Sequence, residues 1–216
     1  MNKEKFVMSF SGGKDSVLAL YKMIQMGHEP VALLTTIKKH QEESWTHGLS
    51  KELLQRISES LSIPLMLIEC DVSEYEIKFE EALLRAKYNG ATMCVFGDID
   101  IEAHKQWDLD RCKNVGIKAE LPLWKKSRED LVYEFIDSGF TTIINKVNLK
   151  YMEIEFLGKE LNKLTVNDIK SRGVDVCGEN GEYHTFVVDG PLFKNRVKFI
   201  NEDIIHDINY GYLVIK

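Results

Sequence analysis

The chain has 216 residues, 34 of them acidic and 28 basic, for a formal net charge of −6. An apolar share of 44% and a charged share of 29% describe a globular protein, long enough to bury roughly 70% of its unfolded surface. The acidic balance argues against a broad nucleic-acid surface, and no apolar run approaches the ~18 residues of a membrane span.

The first half alternates short apolar runs with helical patterns. Lys5–Phe10 reads as a strand, and Ser16–Met26 as a helix with Val17, Leu20, Tyr21 and Ile24 on one face, stopped by Gly27. The apolar run ending at Phe10 is too short for a signal peptide, so a cytoplasmic location is expected. Val31–Ile37 is a second strand and Ser50–Leu61 a second helix, with Leu53, Leu54, Ile57 and Leu61 inward. Leu65–Ile68, Met93–Phe96 and Ala119–Leu121 read as three more strands. They are separated by helices over Ser73–Tyr88 and Ile101–Val115, and Arg128–Ser138 follows as another helix. Apolar strands alternating with helices predict a doubly wound, parallel, five-stranded sheet, whose sites lie at the carboxyl ends of its strands. After about residue 140 the pattern changes. Thr141–Val147 is β-rich, Asn148–Arg172 looks mostly helical, and Tyr183–Val188 and Val197–Ile200 look like strands. The expected organisation is an α/β domain over residues 1–140 and a smaller α+β domain over 141–216. Cys70, Cys94, Cys112 and Cys177 form no CxxC pair and are expected to be reduced and mostly buried.

The strongest local signal is Ser11-Gly12-Gly13-Lys14-Asp15-Ser16, between the first strand and the first helix. Two glycines let the backbone turn tightly and approach a ligand, and the helix that follows presents free N–H groups and a positive dipole end. Ser11 and Ser16 add hydroxyls and Lys14 a cation; Asp15 can ligate Mg²⁺ or cap the helix. It is not a Walker A loop, which needs glycine where Met8 stands and Ser or Thr where Asp15 stands. These six residues resemble the SGGxDS phosphate loop of the N-type ATP pyrophosphatases, the PP-loop superfamily. That resemblance implies ATP and Mg²⁺ as cofactors and cleavage between the α and β phosphates. It leaves the acceptor open.

A second motif narrows the choice. Gly178-Glu179-Asn180-Gly181-Glu182-Tyr183-His184-Thr185 runs on to Asp189-Gly190-Pro191-Leu192-Phe193. As bare chemistry, Glu179 and Glu182 bracket an Asn-Gly turn and serve equally as metal ligands, an ammonium site, a base or a polar hairpin tip. As a string the segment resembles the signature of the diphthine–ammonia ligase family, as does Pro122-Leu123-Trp124. The resemblance runs from Phe6 to about Arg196. It implies a Rossmann-like nucleotide domain with a small C-terminal domain, and an AMP-forming ligase that joins ammonia to the carboxylate of diphthine in elongation factor 2. Lys14, Asp15, Glu179 and Glu182 are then the expected catalytic residues, Ser11–Ser16 the ATP site and Asp15 the metal ligand. Two departures mark the acceptor side: Thr46-His47-Gly48, and Gly97-Asp98-Ile99 with His104 and Trp107, a pattern similar to bacterial relatives.

His47, Asp98, His104, Glu179, Asn180, Glu182 and Thr185 are the expected substrate-binding residues, and free ammonium the nitrogen source. Each has a plain alternative: Asp98 as a turn acid, His104 as a surface residue, His47 as loop polarity. His184 reads as structural, and Trp45, Trp107 and Trp124 as packing residues, with Trp124 the one able to line the cleft. The rival functions are a PP-loop enzyme acting on a small-molecule carboxylate or a tRNA base, and an ATP-binding module without catalysis. A homodimer is expected on base rates alone.

Overall fold

The computed structural model describes residues 3–39 and 43–216. Five strands, β1 (Lys5–Ser9), β2 (Glu29–Lys38), β3 (Leu65–Cys70), β4 (Met93–Val95) and β5 (Lys118–Glu120), form one sheet in the order β3-β2-β1-β4-β5. All four pairings are parallel. This is the doubly wound sheet expected from the alternation. Because β1 lies between β2 and β4, the chain reverses its direction of travel at β1, which opens a crevice above the carboxyl ends of β1 and β4.

Helices α1 (Lys14–Gln25), α2 (Lys51–Leu61) and α5 (Arg128–Asp137) feed the larger apolar core. Helices α3 (Tyr75–Tyr88) and α4 (Glu102–Val115) feed a smaller core, with Phe79, Ala82, Leu83, Ala86 and Cys112. Local chemistry fixes the ends. Ser50 caps α2 by accepting from the Leu53 N–H at 3.2 Å, and Gly116 ends α4 at φ 72°. α1 begins two residues earlier than its apolar stripe suggests, at Lys14, because Gly13 is its N-cap and carries no capping side chain.

The C-terminal segment has the α+β make-up expected of it but differs in its elements. Its sheet has four antiparallel strands, β6 (Thr141–Asn148), β7 (Tyr183–Asp189), β8 (Asn201–His206) and β9 (Tyr210–Ile215), in the order β7-β6-β9-β8. Residues Asn148–Arg172, which look mostly helical, hold one 3-10 turn (Ile154–Phe156) and one helix, α6 (Lys163–Ser171). Asn162 starts α6 by accepting from the Leu164 and Thr165 N–H groups, and Met152, Phe156, Leu157 and Leu161 mimic a helical stripe while packing irregularly. Val197–Ile200 is not a strand; β8 begins at Asn201, just after the Ile200–Lys216 backbone pair, and β9 is an element the sequence reading passed over. Nor is the Asn180-Gly181 turn a hairpin, since no strand precedes it.

The larger core is continuous from Phe6 and Leu20 of the parallel sheet layer to Phe186 and Leu213 of the antiparallel one. All four cysteines are free and buried. Among the described residues no helix is long and apolar enough to cross a membrane.

The turn after β7 carries a sharp steric constraint. Gly190 sits at φ +148°, and a Cβ there would lie 2.1 Å from Cδ1 of Phe140, which stacks on Phe135 at 5.0 Å. Gly190→Ala is expected to cost more than about 3 kcal/mol, through overpacking and backbone strain together. A denaturant midpoint equal to wild type would show that this corner yields freely.

Candidate active site at the carboxyl edge of the parallel sheet

A cleft of about 820 Å³ opens above the carboxyl ends of β1, β2 and β4 and is closed on one side by residues 178–185. Ser11, Lys14, Asp15 and Ser16 line it. Gly12 and Gly13 lie beneath, both buried. Gly12 adopts φ +80°, and a Cβ there would sit 2.8 Å from Leu49 Cδ1. Gly13 has ordinary φ, but its added Cβ would fall 2.3 Å from His47 Cε1 and 3.1 Å from the Thr185 carbonyl oxygen. The first glycine therefore serves conformation and the second serves close approach.

β7 is laced to this loop. The Val187 N–H donates to the Gly12 carbonyl at 2.9 Å, and the Lys14 N–H donates to Thr185 Oγ1 at 3.2 Å. His47 Nδ1 lies 2.8 Å from the Thr185 carbonyl oxygen, so Nδ1 carries the proton and donates. Asn145 on β6 donates its amide to the His47 carbonyl at 2.7 Å. The phosphate loop, the loop after β2 and the antiparallel sheet thus meet at one seam.

Lys14 Nζ is 2.7 Å from Asp15 Oδ2 and 5.6 Å from the centre of the Tyr183 ring. Burial, the largest single influence, disfavours its charge, but the opposing influences, led by the Asp15 carboxylate, together hold its pKa well above the ordinary lysine value. His47 is pushed down to about 4 by burial, with the Lys14 and Lys146 charges adding to the effect. His184, whose ring lies 4.8 Å from that of His47, is pushed down to about 2 by burial and then by His47. Both rings line the cleft as neutral imidazoles. Glu179 is half-buried on the cleft wall; burial first, then the charges of Asp15 and Asp98, push its carboxyl up to about 7.

The remaining expected residues divide. Asp98, His104 and Asn180 line the cleft, and His104 Nδ1 lies 3.1 Å from Asp98 Oδ1, which raises the imidazole pKa. Glu182, expected to be catalytic and to bind substrate, is buried and is not among the lining residues. Its carboxylate accepts from the Asn180 N–H at 3.0 Å and the Asn180 side-chain amide at 3.2 Å, so it builds the turn that presents Glu179. Trp45, Trp107 and His184 line the cleft, whereas Trp124 does not. Asp108 and Asn145 escaped the sequence reading. Their one signal was a polar residue at an inward position, Asp108 four residues before the buried Cys112 on α4, and Asn145 inside the β-branched run of β6.

A parallel sheet with a glycine loop, a buried lysine paired with a cleft-lining aspartate and an acid wall at its carboxyl edge defines a nucleotide-binding α/β protein that handles phosphates. A family model described as the diphthamide synthase N-terminal domain matches residues 4–119, and one described as the diphthamide synthase C-terminal domain matches residues 127–216. The chain belongs to the diphthamide synthase family. It is 27% identical to the diphthine–ammonia ligase of Homo sapiens over 220 residues, covering 90% of this chain and 82% of that protein. It is 28% identical to the diphthine–ammonia ligase of Rattus norvegicus, covering 91% and 83%. The Saccharomyces cerevisiae ligase is 22% identical, with 88% of this chain spanning 34% of that protein. A solved structure described as a predicted subunit of tRNA methyltransferase from Methanocaldococcus jannaschii covers 88% of this chain and 98% of that one, at 16% identity and a TM-score of 0.47.

Proposed function

We propose that this chain is an ATP-dependent, AMP-forming amide ligase of the diphthine–ammonia ligase type, acting on a carboxylate acceptor, with the diphthine of elongation factor 2 as the family's acceptor. The observation that supports it most directly is the seam at β7: Thr185 touches the ATP loop while Glu179, six residues earlier, faces the same cleft. ATP phosphates lie against the first turn of α1, where Lys14, Ser11 and Ser16 meet their charge. The acceptor carboxylate attacks the α-phosphorus and pyrophosphate leaves. Ammonia then attacks the acyl carbon, gives up a proton, and AMP departs. Glu179 is placed to take that proton, since its environment sets its pKa near working pH. Closure by residues 178–185 keeps water from the acyl adenylate.

Mg²⁺ fits as a guest of the nucleotide. Among the described residues no group of three or more His, Cys, Asp and Glu has metal-holding geometry, and Asp15, which lines the cleft beside the phosphate loop, is the residue that would hold the ion next to the nucleotide. The ion would add charge neutralisation at the phosphates. On this reading residues 1–140 bind the nucleotide and residues 141–216 serve the acceptor, in a cytoplasm that keeps the thiols reduced.

Two measurements test the proposal. Chromatography of products should show AMP and pyrophosphate in equal amounts; ADP as the stoichiometric product would exclude the mechanism. The free-enzyme kcat/KM should rise about tenfold per pH unit below about pH 7 and level off above it, because the base must be ionised. Glu179→Gln should flatten that limb, and an unchanged profile would remove Glu179 as the base.

A further inference from the structure

Outside the cleft, one guanidinium joins two stretches of chain that each lead into it. Arg128 opens α5, where the helix dipole favours acids and where Glu129 and Asp130 already stand. A cation at that position does nothing for the helix, so its use lies elsewhere. Its Nε and Nη2 donate to Asp100 Oδ2 and Oδ1 at 2.8 and 2.7 Å, a two-pronged bond, and its Nη1 donates to Asp175 Oδ2 at 2.5 Å. The bond to Arg128 holds the Asp100 carboxyl below the ordinary carboxylate range, so the pair stays ionised. Arg128, Asp100 and Asp175 are not among the residues lining the cleft.

Both carboxylates pass the constraint on. Asp100 stands two residues after Asp98, which lines the cleft and pairs with His104. Asp175 lies within residues 172–182, which form no helix or strand. Its Oδ1 accepts from the Cys177 N–H at 2.9 Å and its carbonyl from the Gly178 N–H at 3.1 Å. Glu179 follows directly and faces the cleft. We propose that Arg128 is a positioning residue: by tying the turn at Asp98–Asp100 to the segment 175–182, it sets the separation of the two acid walls and holds Glu179 over the cleft. An isolated surface ion pair orders little. This one is a three-bond network, with the Arg128 and Asp175 side chains 26% and 16% exposed. The catalytic consequence rests on Glu179 as the group that takes ammonia's proton; the tie itself does not, and is tested without turnover.

Hydrogen exchange read by mass spectrometry on the full chain, free of ATP, should show the amides of residues 175–182 exchanging at least tenfold faster in Arg128→Met than in wild type, with β1, α1 and Tm unchanged. Arg128→Lys, a point charge that cannot fork across both acids, should fall between the two. In turnover with ATP, ammonium chloride and elongation factor 2 carrying diphthine, Arg128→Met should keep the KM for ATP within twofold and lower kcat at least tenfold. It should also release more pyrophosphate per amide formed, because water reaches the acyl adenylate. If wild type forms no amide, the ligase reading fails while the exchange result still decides the tie. Asp175→Asn cuts the same tie if Arg128→Met does not fold. Wild-type exchange across residues 175–182 in Arg128→Met and Asp175→Asn would overturn the proposal. So would faster exchange with kcat and the product ratio unchanged, the mark of a merely structural strut. A tenfold rise in the KM for ATP would overturn it too, by placing Arg128 in service of the nucleotide.

Discussion

Gly13→Ala is expected to lower kcat/KM for pyrophosphate release by 100-fold or more while the chain still folds. The added methyl would overlap His47 Cε1 at 2.3 Å and crowd the Thr185 carbonyl at 3.1 Å. Neither neighbour is free to retreat. His47 is held by its bond to Thr185 and by Asn145 at its carbonyl, and Thr185 belongs to a strand. The loop must move instead, and displacements near 1 Å at a reacting centre cost about 10² in rate. His47→Ala removes the nearer obstacle, so the double variant Gly13→Ala/His47→Ala should recover part of the ATP affinity lost in Gly13→Ala. Turnover of Gly13→Ala within threefold of wild type would mean that loop position is not critical.

Asp15→Asn should reduce AMP formation by about 10²–10³-fold, the scale of losing one preorganised charge in an active site. The substitution keeps the shape of the side chain and removes the charge that offsets Lys14 2.7 Å away. The Lys14 pKa should then fall, since burial is the largest influence on it and Asp15 the largest opposing one. ATP binding should weaken less than turnover, because Ser11, Ser16 and the α1 amides remain. Wild-type rates in Asp15→Asn, measured by coupled pyrophosphate release, would take this residue out of the mechanism.

The parallel sheet was legible because each of its units is local: a strand, a turn and a helix whose apolar stripe repeats at 3.6 residues. The loop Ser11–Ser16 was legible for the same reason, since all its chemistry is contiguous. The antiparallel part was harder. Residues 149–161 place apolar side chains at helical spacing yet bury them one by one under β6 and β9, so periodicity misleads there. β8 is exposed along its whole length and shows no alternation to read. At the site, Glu182 was misplaced because sequence shows two acids near a turn but not which of them closes it. Asp108 was missed because α4 has almost no amphipathic pattern against which a buried acid would stand out.

The seam at β7 also has a meaning in time. A ribosome delivers the phosphate loop well before the groups that complete it, since Thr185 follows Lys14 by 171 residues and Val187 stands later still. Until then the Gly12 carbonyl and the Lys14 amide lack their β7 partners, and His47 lacks its bond to the Thr185 carbonyl. A nascent chain that has folded its parallel sheet is therefore still without a finished nucleotide site. The loop's surroundings are complete only once β7 has docked on it.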